Sequence, residues 1–132
     1  MFELVEIKSN SATRFVKLKN VDSGAIEECF DDSAVVSGNN FNFMEVGCRY
    51  ECKIKLFGKP VSEKVNSSVV CRLVDRNITI GQKLMVEVEV NSNKYYIPQV
   101  KVKDYLDNDS FNFSFTRKDL VQVNTTIHAD LL

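Results

Sequence analysis

Between Cys48 and Leu56 every second residue is apolar, and Arg49, Glu51, Lys53 and Lys55 fill the gaps. Alternation of that length predicts a strand with one buried and one wet face. A second stretch, Ile80 to Val90, repeats the plan. In both copies apolar residues stand three, five, seven and nine places after a glycine, Gly47 and Gly81. Tyr50, Ile54, Val86 and Val88 are therefore expected to share one interior.

The same pattern divides the rest of the chain. Phe2 to Lys8 is strand-like but breaks its alternation at Leu4-Val5, where a bulge is expected. Thr13 to Lys19 resumes a strand, with Val16 and Leu18 on one face and Phe15 on the other. Asn20 to Gly24 carries turn chemistry, and Ala25 to Phe30 returns, so the opening segments read as a meander. Phe41 and Phe43 alternate before the Gly47 strand. Pro60, which has no amide proton, is expected to end pairing there, and Val61 to Ser67 reads as a loop. Val69, Cys71 and Leu73 share a face. Lys83–Val90 and Tyr95–Lys103 flank Asn91-Ser92-Asn93-Lys94, a hairpin signal because Asn accepts left-handed backbone. Pro98 places the second arm at an edge or bulge. Phe111, Phe113 and Phe115 alternate with polar residues. Thr116 to Asp119 resembles a capping box for one helical turn, Val121 to Ile127 a last strand, and the end should fray or dock through Leu131 and Leu132.

No window sustains a 3.6-residue period. The expectation is all-β: a Greek-key or meander barrel or sandwich of about 8–10 short antiparallel strands, forming one barrel-like domain over residues 1–132. The glycine-led segments Val46-Gly47 and Ile80-Gly81 resemble the strand-entry pattern of OB-fold and S1-like small β-barrels. That resemblance implies a face able to bind single-stranded nucleic acid or oligosaccharide. The layout from Asp31-Asp32-Ser33 through Gly38 also resembles a PilZ-type nucleotide-binding barrel. That family's Arg-x-x-x-Arg segment is absent, and none of its binding residues is assigned here.

Composition narrows the chemistry. Four cysteines lack any ligand spacing: Cys48 and Cys52, four apart on a strand, stand roughly 13 Å apart, too far for a disulfide or one zinc ion. All four are expected in the core. His128 is the only histidine, so a nucleophile–base pair would depend on a residue expected to be solvated near the end. Asp31 with Asp32, and Asp104, Asp107 and Asp109, fall in turns and lack calcium-loop spacing. Neither an enzyme, a metal nor a cofactor is expected. No apolar run is long enough to cross a membrane, and no signal peptide is apparent, so no membrane partner and a cytoplasmic location are expected.

Charge is uneven. Residues 48–103 carry eleven bases and five acids, whereas the flanks are acidic. The outward parity collects Arg49, Lys53, Lys55 and Phe57, to which the hairpin adds Lys94, Tyr95, Lys101 and Lys103. Cations beside aromatic rings would hold a single strand of nucleic acid, although Glu51, Glu87 and Glu89 share the face. The first expectation is instead a non-enzymatic binding or accessory module whose partner is a protein, met through an exposed strand edge or loops. Tyr95-Tyr96-Ile97-Pro98 is the segment with that character.

Overall fold

The computed structural model describes residues 1–63 and 67–132. Its strands are β1 (Phe2–Asn10), β2 (Thr13–Asn20), β3 (Ile26–Asp31), β4 (Arg49–Tyr50), β5 (Cys52–Val61), β6 (Ser68–Ile80), β7 (Lys83–Val90), β8 (Asn93–Pro98), β9 (Ser110–Val123) and β10 (Thr126–Ile127). A single helical turn, α1 (Ser33–Val36), follows β3, and 3-10 segments cover Gln99–Tyr105 and Ala129–Leu131.

Five strands close into a barrel, in the ring order β5, β8, β7, β6, β9 and back to β5. Closure between β5 and β8 is parallel and rests on one bridge, Lys55 to Tyr96. The other neighbours are antiparallel. The meander β1–β2–β3 joins the barrel where β3 meets β9 in parallel, also at one bridge, Phe30 to Asp119. The protein is all-β.

Burial follows parity. Tyr50, Ile54, Val86 and Val88 all lie inside, with Leu56, Cys71, Leu73, Ile97, Phe111 and Phe113. From the meander Leu4, Val16, Leu18 and Cys29 enter the same core, so the two layers share one apolar interior. A second cluster forms on the barrel's outer side, where Leu131 packs on Ile80, Met85, Tyr96 and Val121.

The expected bulge is present: the β1–β2 register shifts between Leu4 and Glu6. The β7–β8 hairpin turns at Asn91 and Ser92, with φ of 50° and 69°. Paired positive φ values give a turn whose twist matches the strands it joins.

Several expectations are corrected. Cys48 is exposed and Cys52 half-buried, while Cys29 and Cys71 are buried. Cys48 precedes the strand, because β4 starts at Arg49 and is separated from β5 at Glu51. Phe41 and Phe43 lie in a loop; Phe41 is buried and Phe43 exposed. β5 continues through Pro60, which faces Phe113 across the ladder. At that level β5 has a ladder partner on one side only, among the described residues, and a proline is tolerated on such an edge. Of the loop expected over Val61 to Ser67, residues Lys64, Val65 and Asn66 lie outside the described residues. The second hairpin arm stops at Pro98, and Lys101 and Lys103 belong to the 3-10 segment. Thr116 to Asp119 is strand rather than helix, since pairing with β5 across Arg117, Lys118 and Asp119 outweighs a four-residue capping pattern. No helix among the described residues is long and apolar enough to cross a membrane.

Candidate functional site

Where the meander meets the barrel, side chains from five elements form a cation–aromatic column on the surface. Phe15 of β2 stands against Phe30 of β3, ring centroids 5.4 Å apart. The Arg117 guanidinium of β9 lies between Phe30 and Phe57, 4.4 and 4.6 Å from their ring centres. Lys101 reaches the Phe57 ring at 5.9 Å. Register dictates the arrangement: Phe15 is opposite Phe30, and Phe57 opposite Arg117. Outward parity on neighbouring strands places these groups side by side.

Asp119 holds Arg117 in place. Its two oxygens accept from Arg117 Nε at 2.5 Å and Nη2 at 3.2 Å, and Lys55 Nζ stands 3.7 Å away. The hydrogen bond to Asp119 raises the Arg117 pKa above its ordinary value. Phe15 and Phe57 remain exposed. Ile26, 54% exposed, lines an open depression of about 460 Å³ with Phe15, Phe115 and Arg117. Glu28 and Lys118 line the same depression, so exposed apolar groups stand there beside charges of both signs.

The structure divides the predicted face. Lys55, Phe57 and Lys101 come together at the column. Lys53 and Lys94 line a separate concavity of about 420 Å³ between meander and barrel, with Lys53 Nζ 5.5 Å from the Tyr96 ring centre. Arg49 lies apart on β4, 4.0 Å from Glu3. Lys103 is exposed on the 3-10 segment and lines neither feature. Tyr95 points inward: it is 5% exposed, and its hydroxyl donates to Glu27 Oε1 at 2.6 Å. Burial, then that hydrogen bond, drives the Tyr95 pKa up. Tyr96 and Ile97 are buried too, so the segment read as an exposed docking edge is interior. Glu27, itself 3% exposed, also pairs with Lys118 at 2.9 Å and links meander to barrel.

Sequence reasoning missed Arg117 and Phe30. Arg117 was hidden by the apparent helical turn. Phe15 carried a usable signal, since its parity opposite Val16 and Leu18 already set it facing outward.

His128 is likewise corrected. It is 4% exposed, not solvated. Its Nε2 lies 2.6 Å from Asp32 Oδ1, and its Nδ1 accepts the Asp130 amide at 3.1 Å. Asp32, His128 and Asp130 bring ligand-type atoms within 4.8 Å of one another. A ring nitrogen that accepts an amide proton leaves its own proton on Nε2, here aimed at Asp32. Both nitrogens are thereby used within the protein, and the group fastens the segment after β9 to the loop after β3. Asp31 is similarly structural: its Oδ2 accepts from Arg14 Nε at 2.7 Å and its Oδ1 from the Ser33 amide at 2.9 Å.

Burial raises the pKa of Cys52 and of Cys71 to about 12, and that of Cys29 well above the ordinary value. Such thiols are poor nucleophiles.

Comparison with protein-family models, curated proteins and solved structures gives no match.

Proposed function

We propose that the protein is a non-enzymatic binding module that engages a protein partner through the column formed by Phe15, Phe30, Arg117 and Phe57. The observation that carries this reading is the juxtaposition of exposed Phe15, Ile26 and Phe57 around one ion-paired arginine. Aromatic residues and arginine are enriched where protein interfaces concentrate their energy. Asp119 already neutralises Arg117, so burying that guanidinium costs less than burying a free charge. Lys101 has no carboxylate partner among the described residues, and it favours a partner that brings an acidic group beside its apolar one.

Single-stranded nucleic acid is the second reading, and Lys55, Phe57 and Lys101 standing together favour it. Asp119 against Lys55 and the burial of Tyr95 weigh on the other side. Two measurements separate the readings. In affinity capture with quantitative proteomics, Phe15→Asp and Phe57→Asp should lose a partner that Val70→Asp retains, Val70 being exposed on β6, which contributes no side chain to the column. Identical capture by all three variants refutes the protein reading. Anisotropy with a mixed single-stranded oligonucleotide at low salt should show no binding tighter than the roughly micromolar non-specific range; tighter, Phe57-dependent binding would favour nucleic acid.

A further inference from the structure

The concavity holding Lys53 and Lys94 offers a second, separate chemistry. Its barrel wall presents these two ammonium groups and Tyr96, and Asn20, Asp22 and Asn124 stand around it. Neither lysine has a carboxylate partner among the described residues, which is equally true of Lys101 and Lys103, so it is their place in one concavity that sets them apart. The two amides are oriented. Asn20 Oδ1 accepts the Asp22 and Ser23 amides at 2.9 and 3.2 Å, and Asn124 Oδ1 accepts the Glu51 amide at 2.9 Å. With each oxygen committed, each NH₂ group is a donor that no acceptor among the described residues claims.

The polar groups of this surface include four donors without a protein acceptor among the described residues, two ammonium groups and two amide NH₂ groups. We infer that the cleft between meander and barrel binds a small molecule through a compact oxyanion, phosphate or carboxylate, held between Lys53 and Lys94. Charge-assisted hydrogen bonds from ammonium donors are the strong form of such recognition, and a concavity of this size lies within the range of ligand sites. Asp22 and Glu51 also line the cleft, both exposed to water.

The test is an amide NMR titration of the whole chain at constant ionic strength, with inorganic phosphate and with citrate as probes. The expected result is saturable shifts at Lys53, Lys94 and the side-chain NH₂ groups of Asn20 and Asn124. Phosphate-only response names phosphate as the ligand group, and citrate-only response names carboxylate. Lys53→Met and Lys94→Met should each weaken binding about tenfold, and Lys103→Met should not. Asn20→Asp keeps the turn acceptor and replaces the NH₂ donor by an oxygen, so it should lose binding with the fold intact. Linear shifts spread over Lys103 as well, or unchanged affinity in Lys53→Met and Lys94→Met, would overturn the inference. So would an oligonucleotide that binds where neither small anion does.

Discussion

Replacing Gly58 by alanine tests whether the barrel is packed as described. An added Cβ would fall against the Ser114 carbonyl oxygen, and would stand 2.6 Å from Phe115 Cα and 2.8 Å from the Ser114 carbonyl carbon. All three are backbone atoms of β9, so no side chain can swing aside. Gly58 pairs with Phe115 at the register shift that follows Phe57, and β9 also pairs with β6 at Ser114. Opening those contacts to the 3.0 Å that real Cβ atoms respect means pushing β9 while β6 holds it. Overpacking of this kind costs about 1–3 kcal/mol or more, offset by roughly 0.5–1 kcal/mol from a less flexible unfolded chain. The expected net loss is about 2 kcal/mol, and urea unfolding followed by circular dichroism should show the midpoint falling by about 1 M. Gly38 is the control: nothing lies within 4 Å of its added Cβ, and Gly38→Ala should leave the midpoint unchanged or slightly higher. Gly58→Ala as stable as the control would refute this packing of β5 on β9.

Asp31→Ala strands Arg14 in a largely buried position and should cost about 3 kcal/mol, with Asp31→Asn costing less; equal melting temperatures for all three proteins would count against the network. In the native protein only Cys48 of the four thiols should react promptly with a disulfide reagent near pH 8, and Cys48→Ser should remove the fast phase. Cys52 and Cys71 keep their protons to about pH 12 when folded, against an ordinary thiol value of 9.0. Their contribution to stability is therefore whole below pH 9 and declines as pH rises towards 12; stability rising over that window would contradict their burial. Leu131→Ala should cost about 2 kcal/mol and speed hydrogen exchange at the Gln82 amide, which donates to the Leu131 carbonyl at 2.6 Å; unaltered exchange would mean that the segment after β9 is held by other contacts.

What could be read from the residues was what depends on neighbours in sequence. Parity found the interior at Tyr50, Ile54, Val86 and Val88, and the doublet Leu4-Val5 found its bulge. Asparagine's tolerance of positive φ found the turn at Asn91. The failures share a cause too. His128 reads as a loose end because Asp32, which fixes it, is 96 positions away. Tyr95 reads as outward because the carboxylate that receives its hydroxyl comes from β3, 68 positions earlier. Of the cation–aromatic column, Phe57 and Lys101 could be proposed from alternation and charge, whereas Arg117 could not. Its setting between two rings arises only once β3, β5 and β9 lie side by side. Local propensity at Thr116 to Asp119 pointed to a helix, and pairing across the sheet decided otherwise.

β9 pairs with β3, β5, β6 and β10, so nearly every layer of the molecule waits on a strand that ends at Val123. Until β9 is in place, β5 and β6 lack the strand that joins them. Pairing between segments so far apart in sequence makes folding slow relative to a helical protein of equal size.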